Sequence, residues 1–309
     1  MGRINRQGMN DFESFDLRFD QLLLPDSQLV RLATGATWSE GPVYFSADDS
    51  VVWSDIPNNR LLRWSERDGL SVWRSPANFE NGHYLDLAGR LLSCEHGRRC
   101  ISRSEEDNSV TILVDRYEGK RLNSPNDLVV KSDGSIWFTD PPYGILSDRE
   151  GYKAESELGD NYVFRLDPET GDLTIVTDEI EEPNGLAFSP DESLLYVADT
   201  SAALRNEGNH HIIQFDVVGG REVRNGRLFA EINPGLADGF RLDMHGNIFT
   251  SALDGVHVYT PKGTRIGKIA VPEKVANLTF GGAGRNRLFI TASTSLYAVT
   301  LNTRGIQQP

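Results

Sequence analysis

The chain has 309 residues, with 31 Lys and Arg against 45 Asp and Glu, for a formal net charge of -14. That balance excludes a phosphate-backbone binder, which needs clustered cations, and the basic stretches Arg98-Arg99 and Lys120-Arg121 are only pairs. A hydrophobic fraction of 39% can bury a core, which excludes a disordered acidic tail, and no window reaches the roughly 18 apolar residues of a membrane span.

In chain order, residues 1–27 read as a polar N-terminal leader, since Met1 to Phe15 lacks an apolar signal core. The expectation is a soluble protein, cytoplasmic by default, and periplasmic or exported if a leader has been removed. The oligomeric state is left open. Residues 28–309 read as one domain. Gln28-Leu29-Val30-Arg31-Leu32 alternates polar and apolar residues, as a strand does. Six similar segments follow, at Glu40-Gly41-Pro42, Asn81-Gly82-His83, Asn126-Asp127-Leu128, Asn184-Gly185-Leu186, Asp238-Gly239-Phe240 and Asn277-Leu278-Thr279. Their starts lie 41, 45, 58, 54 and 39 residues apart. Each runs into a turn with Gly, Asp or Asn and then a β-rich run such as Ile136-Trp137-Phe138 or Leu195-Tyr196-Val197, which is a hairpin pattern.

Most repeats add a third strand and a short fourth, such as Val110 to Val114 or Leu173 to Val176. Four strands in a unit of about 40–45 residues form the blade of a β-propeller. The last repeat has room for three strands only, so the strand at 28–32 is expected to complete it. The prediction is an all-β, six-bladed propeller closed by an N-terminal strand, with few helices. The extra length of repeats three and four, 144–161 and 201–211, is expected in loops on one face. Cys94 and Cys100 give neither a disulfide framework nor a CxxC pair and read as ordinary half-buried thiols.

Aligning the repeats yields a column: Glu40, Asn81, Asn126, Asn184, Asp238 and Asn277. Each stands where an innermost strand begins, so six oxygen-bearing side chains face one axis. Two carboxylates with several amides suit a hard cation, Ca²⁺ before Mg²⁺ or Zn²⁺. Turn chemistry also accounts for Asn-Gly and Asp-Gly, though not for Glu40, and a purely structural ion would need the same ring. A second column, Asp55, Glu95, Asp140 and Asp199, marks the ends of the second strands. Solvated strand ends explain Asp55 and Glu95, whereas Asp140 and Asp199 are candidate site groups. His83 and His96 are candidates for substrate contact or proton transfer. No GxSxG, HExxH or P-loop lysine motif is present.

The strings Trp38-Ser39-Glu40-Gly41-Pro42, Ser124-Pro125-Asn126-Asp127-Leu128, Trp137-Phe138-Thr139-Asp140-Pro141-Pro142-Tyr143-Gly144, Pro183-Asn184-Gly185-Leu186-Ala187-Phe188 and Ala237-Asp238-Gly239 resemble the senescence marker protein/gluconolactonase/luciferin-regenerating enzyme (regucalcin-like) family. Cys94-Glu95-His96-Gly97-Arg98-Arg99 resembles its bacterial gluconolactonase branch. The resemblance spans about residues 28–300. It implies a divalent metal held by Glu40, Asn184 and Asp238, with Asn126 on substrate or metal. One departure is Ser124, where animal lactonases of the family carry Arg; Arg121 is nearby but displaced. The expected function is metal-dependent hydrolysis of a sugar lactone, such as D-glucono-1,5-lactone. Asp238 is the expected base, Asp199 its fallback and a substrate-binding candidate, and Asn126 and His83 are expected to orient hydroxyls. The alternatives are a phosphotriesterase on the same ring and a non-enzymatic calcium-binding propeller.

Overall fold

The computed structural model describes residues 11–107 and 109–306. Period-two runs rich in Val, Ile, Leu, Trp and Phe, broken by Gly- and Asp-bearing turns, become strands. The α-helix Leu17–Asp20 is four residues long, and the helical remainder is single 3₁₀ turns.

The strands form six antiparallel blades. The innermost strands are Ser39–Phe45, Glu80–Leu85, Leu128–Val130, Pro183–Phe188, Phe240–Leu242 and Val275–Gly281. Each packs on the next around the axis, and Val275–Gly281 closes on Ser39–Phe45. Blade six has three strands from the C-terminal repeat and takes Val30–Thr34 as its outer strand. The N-terminal strand therefore closes the ring and covers an edge that would otherwise be open. It sits two residues later than the alternation of 28–32 suggested. A register shift between Arg31 and Ala33 interrupts the alternation, and Ala33 is the residue that becomes buried.

The described part of the polar leader belongs to the propeller, so the expected boundary at residue 28 does not mark a structural break. Phe12–Ser14 pairs with Gly267, Lys268 and Ile269 as a fifth strand on blade five. Phe19, 1% exposed, enters the apolar layer between blades five and six. No local pattern signals this pairing, because Phe12, Phe15 and Phe19 are isolated among polar residues. Residues 1–10 lie outside the described residues.

Six apolar clusters fill the six junctions between blades. Trp137, for example, packs edge-on against Phe188, their ring centroids 5.2 Å apart, joining blades three and four. Cys94 and Cys100 are free and fully buried rather than half-buried, and burial pushes both thiols up. Among the described residues no helix is long and apolar enough to cross a membrane.

Candidate active site

At the end of the channel where the innermost strands begin, a cavity of about 310 Å³ opens. Five of the six aligned residues line it: Glu40, Asn81, Asn126, Asn184 and Asp238. The glycines that follow the ring residues explain how so many blades come so close. Gly82 N donates to Asn126 O at 2.8 Å, and Gly185 N donates to Asp238 O at 2.8 Å. A Cβ on either glycine would overlap the neighbouring blade's backbone. Asn-Gly is thus a contact between blades here, not only a turn former.

Glu40 is 4% exposed, and its Oε2 accepts from Gly41 N at 2.5 Å and from Asn277 Nδ2 at 3.1 Å. Burial, then the nearby charges of Asp238 and Asp127, push the Glu40 carboxyl well above its ordinary range. Burial also raises Asp238 to about 6, against the opposing charge of Lys274 and a hydrogen bond from the Asn184 side chain. Asn184 Nδ2 also reaches Thr200 Oγ1 at 3.3 Å, and that hydroxyl is 2.6 Å from the Tyr143 hydroxyl. The Asn126 carboxamide faces the cavity with no hydrogen-bond partner among the described residues.

Two buried carboxylates, with the charge of Asp238 helping to raise Glu40, are flanked by carboxamides and make a site rich in hard oxygen donors. That donor set fits a divalent cation of the Ca²⁺ type. Among the described residues no three His, Cys, Asp or Glu side chains group as a metal site by themselves, so Asn184 and Asn126 would have to supply part of the shell.

Asn277, the sixth column member, lies beneath the cavity rather than on its wall. Its Oδ1 accepts from Leu278 N at 2.8 Å, which turns its Nδ2 toward Glu40 and, at 3.4 Å, Asp127 Oδ2. Asp127 in turn meets Arg241 Nη1 at 3.5 Å.

Two sequence expectations are corrected by this geometry. His83 does not line the cavity. It is 1% exposed, with Nδ1 2.6 Å from Gly41 O and Nε2 3.1 Å from Glu80 Oε2, so both ring nitrogens are committed between blades. Asp199 is likewise turned away from the cavity: its carboxylate accepts from Glu181 N, Glu182 N and Ser201 N at 3.1–3.3 Å and from Asn209 Nδ2 at 2.9 Å. The second column as a whole clamps loops. Asp55 Oδ1 accepts from Thr37 N at 2.8 Å, Asp140 Oδ2 from Asn123 N at 2.8 Å, and Glu95 holds Arg98. A strand-end acid fixes the loop leading into the same blade's innermost strand in blades one, three and four.

His96 lines the cavity. Its Nδ1 donates to Glu150 O at 2.9 Å and its Nε2 accepts from Asn81 Nδ2 at 3.3 Å, a tautomer assigned from these partners. Burial lowers it to about 4, so it is neutral at pH 7. Ser124 is spent on structure: its hydroxyl donates to Pro141 O at 2.6 Å and accepts from Gly144 N at 2.9 Å. Arg121 donates to Arg98 O at 2.7 Å and lies off the cavity wall.

The sequence reading missed Trp38, Tyr143, Arg149, Glu150 and Lys274, all on the wall. Trp38 was legible, two residues before Glu40. Lys274 stands at the comparable place before Asn277, and Arg149 and Glu150 come from the 144–161 insertion, which does fall at this mouth.

The model of the SMP-30/Gluconolactonase/LRE-like region matches residues 38–294, which include every cavity residue named above. The chain belongs to the SMP-30/gluconolactonase/LRE-like family. Within that family, a gluconolactonase of Zymomonas mobilis is 32% identical over 98% of this chain and 89% of its own length. The pentonolactonase XacC of Haloferax volcanii is 27% identical over 84% and 83%. A gluconolactonase structure from Xanthomonas campestris superposes with a TM-score of 0.88 at 40% identity, covering 94% of each chain.

Proposed function

We propose that this member of the family hydrolyses a sugar lactone, with D-glucono-1,5-lactone as the reference substrate, at a Ca²⁺ site formed by Glu40, Asn184, Asp238 and Asn126. The observation that supports it most is the convergence of two buried carboxylates with raised carboxyls, Glu40 and Asp238, with two carboxamides in one polar cavity. Relatives named gluconolactonase and pentonolactonase supply the substrate class. The ion, when bound, supplies Lewis acidity at the lactone carbonyl.

The chain's own groups divide the remaining work. Asp238 takes a proton from the attacking water. Its ordinary carboxylate basicity is modest, which suffices for an activated ester and would not for an amide. Asn126, whose Oδ1 would face the ion, has an Nδ2 with no hydrogen-bond partner among the described residues, and that group holds a ring hydroxyl. Asn277 fixes one oxygen of Glu40, so that its other oxygen faces the cavity. A wall of Asn, His, Tyr and charged side chains suits a polyhydroxylated ring better than a long acyl chain.

The test is the rate of gluconolactone hydrolysis above its spontaneous rate, for wild type, D238N and E40Q. Wild type is expected to exceed the spontaneous rate and both variants to fall to it. Equal rates for D238N and wild type would remove Asp238 from the mechanism.

A further inference from the structure

We propose that Lys274 is a further catalytic residue, whose ammonium group holds the ring oxygen of the lactone as that oxygen departs. The inference rests on the lactonase reading. Lys274 immediately precedes the innermost strand of blade six, Val275–Gly281, and lines the cavity. Its carbonyl accepts from Ser293 N at 3.0 Å and Ser293 Oγ at 3.3 Å, which pins its backbone to the end of the same blade's outer hairpin. Its Nζ stands 5.1 Å from the centroid of the Trp38 ring.

That ammonium group has no hydrogen bond or ion pair among the described residues. Two other lysines of this acidic chain behave differently: Lys131 meets Asp133 and Glu192, and Lys268 meets Glu13 and Asp254. Lys274 is near enough to Asp238 and Glu150 for its charge to act on both carboxyls. An unpaired cation beside the proposed base is placed for charge that develops during reaction.

The chemistry leaves one position unserved. Water attack forms a bond to the carbonyl carbon and puts negative charge on the carbonyl oxygen. Collapse then breaks the bond from that carbon to the ring oxygen, whose electron pair leaves with it. The ring oxygen becomes a hydroxyl by taking up the proton that water lost. A sugar alkoxide is a poor leaving group, so a donor at the ring oxygen matters. The other wall groups are committed: His96 is neutral with both nitrogens engaged, and the Tyr143 hydroxyl is paired with Thr200. Arg149 is on an exposed stretch of the 144–161 loop.

K274M, K274R and D238N, each with calcium affinity measured by calorimetry, test this on gluconolactone and on dihydrocoumarin, whose phenolate leaves without help. K274M is expected to lower kcat on gluconolactone by about 10²-fold, the usual loss for one such donor. KM should stay within about threefold, calcium affinity should not fall, since a nearby positive charge has been removed, and K274R should recover most of the rate. The loss on dihydrocoumarin should be under about fivefold. A raised KM with unchanged kcat, an equal loss on both substrates, or no loss would overturn the proposal. K274Q, which keeps the stem over Trp38, replaces K274M if that variant does not fold. If wild type does not turn over dihydrocoumarin, the kcat-against-KM split on gluconolactone decides. A calcium-loaded wild type no faster than spontaneous hydrolysis defeats the lactonase reading itself. An active wild type, a dead D238N and a fully active K274M defeat only the Lys274 inference.

Discussion

Gly185→Ala probes the contact that sets the spacing of the ring. A Cβ there would overlap the carbonyl oxygen of Asp238 and approach Gly239 Cα at 2.9 Å, and both obstacles are backbone. Neither can swing aside, so blades four and five must part by an amount on the order of 1 Å to restore ordinary carbon contacts. The overpacking costs about 1–3 kcal/mol, and weakening the 2.8 Å bond from Gly185 N to Asp238 O adds about 1 kcal/mol. The expected loss is about 2–4 kcal/mol in urea unfolding of the metal-free protein. Because Asp238 moves relative to Asn184, calcium affinity by calorimetry should fall about 10–100-fold, as when a group supporting a ligand is lost. Gly89→Ala is the control. Its φ of +78° strains any other residue, but the space around it is open. It should cost about 1 kcal/mol and leave calcium binding alone. If Gly185→Ala matched wild type in both measurements, or merely matched Gly89→Ala, the account of close-packed blades would be wrong.

Asp199→Ala should lower stability by about 2–4 kcal/mol in thermal or urea melts, because it strands buried N–H groups, while KM for lactone stays near wild type. His83→Gln should behave the same way, and a selective rise in KM in either variant would put that residue back on the substrate. Burial raises Asp140 to about 7, so the folded state holds a proton that the unfolded chain has released. Its contribution therefore favours the fold at low pH and is lost as pH rises from about 4 to 7, by at most about 1.4 kcal/mol per pH unit. Urea unfolding of metal-free Asp140→Asn across that range should show a shallower slope than wild type. In the proposed site calcium binding requires Asp238 ionised, and burial raises that carboxyl to about 6. Glu40, whose carboxyl is pushed well above its ordinary range, must ionise as well, so affinity measured by calorimetry should weaken as pH falls, by up to about tenfold per unit for each proton taken up.

Blade number and strand order were readable because a period of two and recurring Gly- and Asp-bearing turns are local signals. The 110–114 and 173–176 runs emerge as Val110–Val114 and Leu173–Thr177. The aligned column was readable for the same reason, since its members recur within two residues of the start of each innermost strand, although Asn277 sits beneath the cavity and not on its wall. What lies on the cavity wall between those strands was harder to see. His83 follows Asn81 by two, so strand alternation alone puts them on one face; the shift of register between Glu80 and His83 breaks that rule and sends the imidazole between blades. Asp199 looked suited to catalysis because it borders an insertion, yet its carboxylate is consumed in tying Ser201 and Asn209 of that insertion to the loop at Glu181 and Glu182. Lys274 carries no motif, and its role depends on Trp38, 236 residues earlier in the chain, arriving beside it through ring closure.

In the proposed mechanism a Ca²⁺ ion between Glu40 and Asp238 enables lactone hydrolysis. A pH-stat record of D-glucono-1,5-lactone hydrolysis by one enzyme sample, before chelation, after chelation and after Ca²⁺ is returned, tests it most directly. The rate should exceed spontaneous hydrolysis, fall to it with EDTA and return with Ca²⁺. A rate that survives complete removal of the metal would contradict the account.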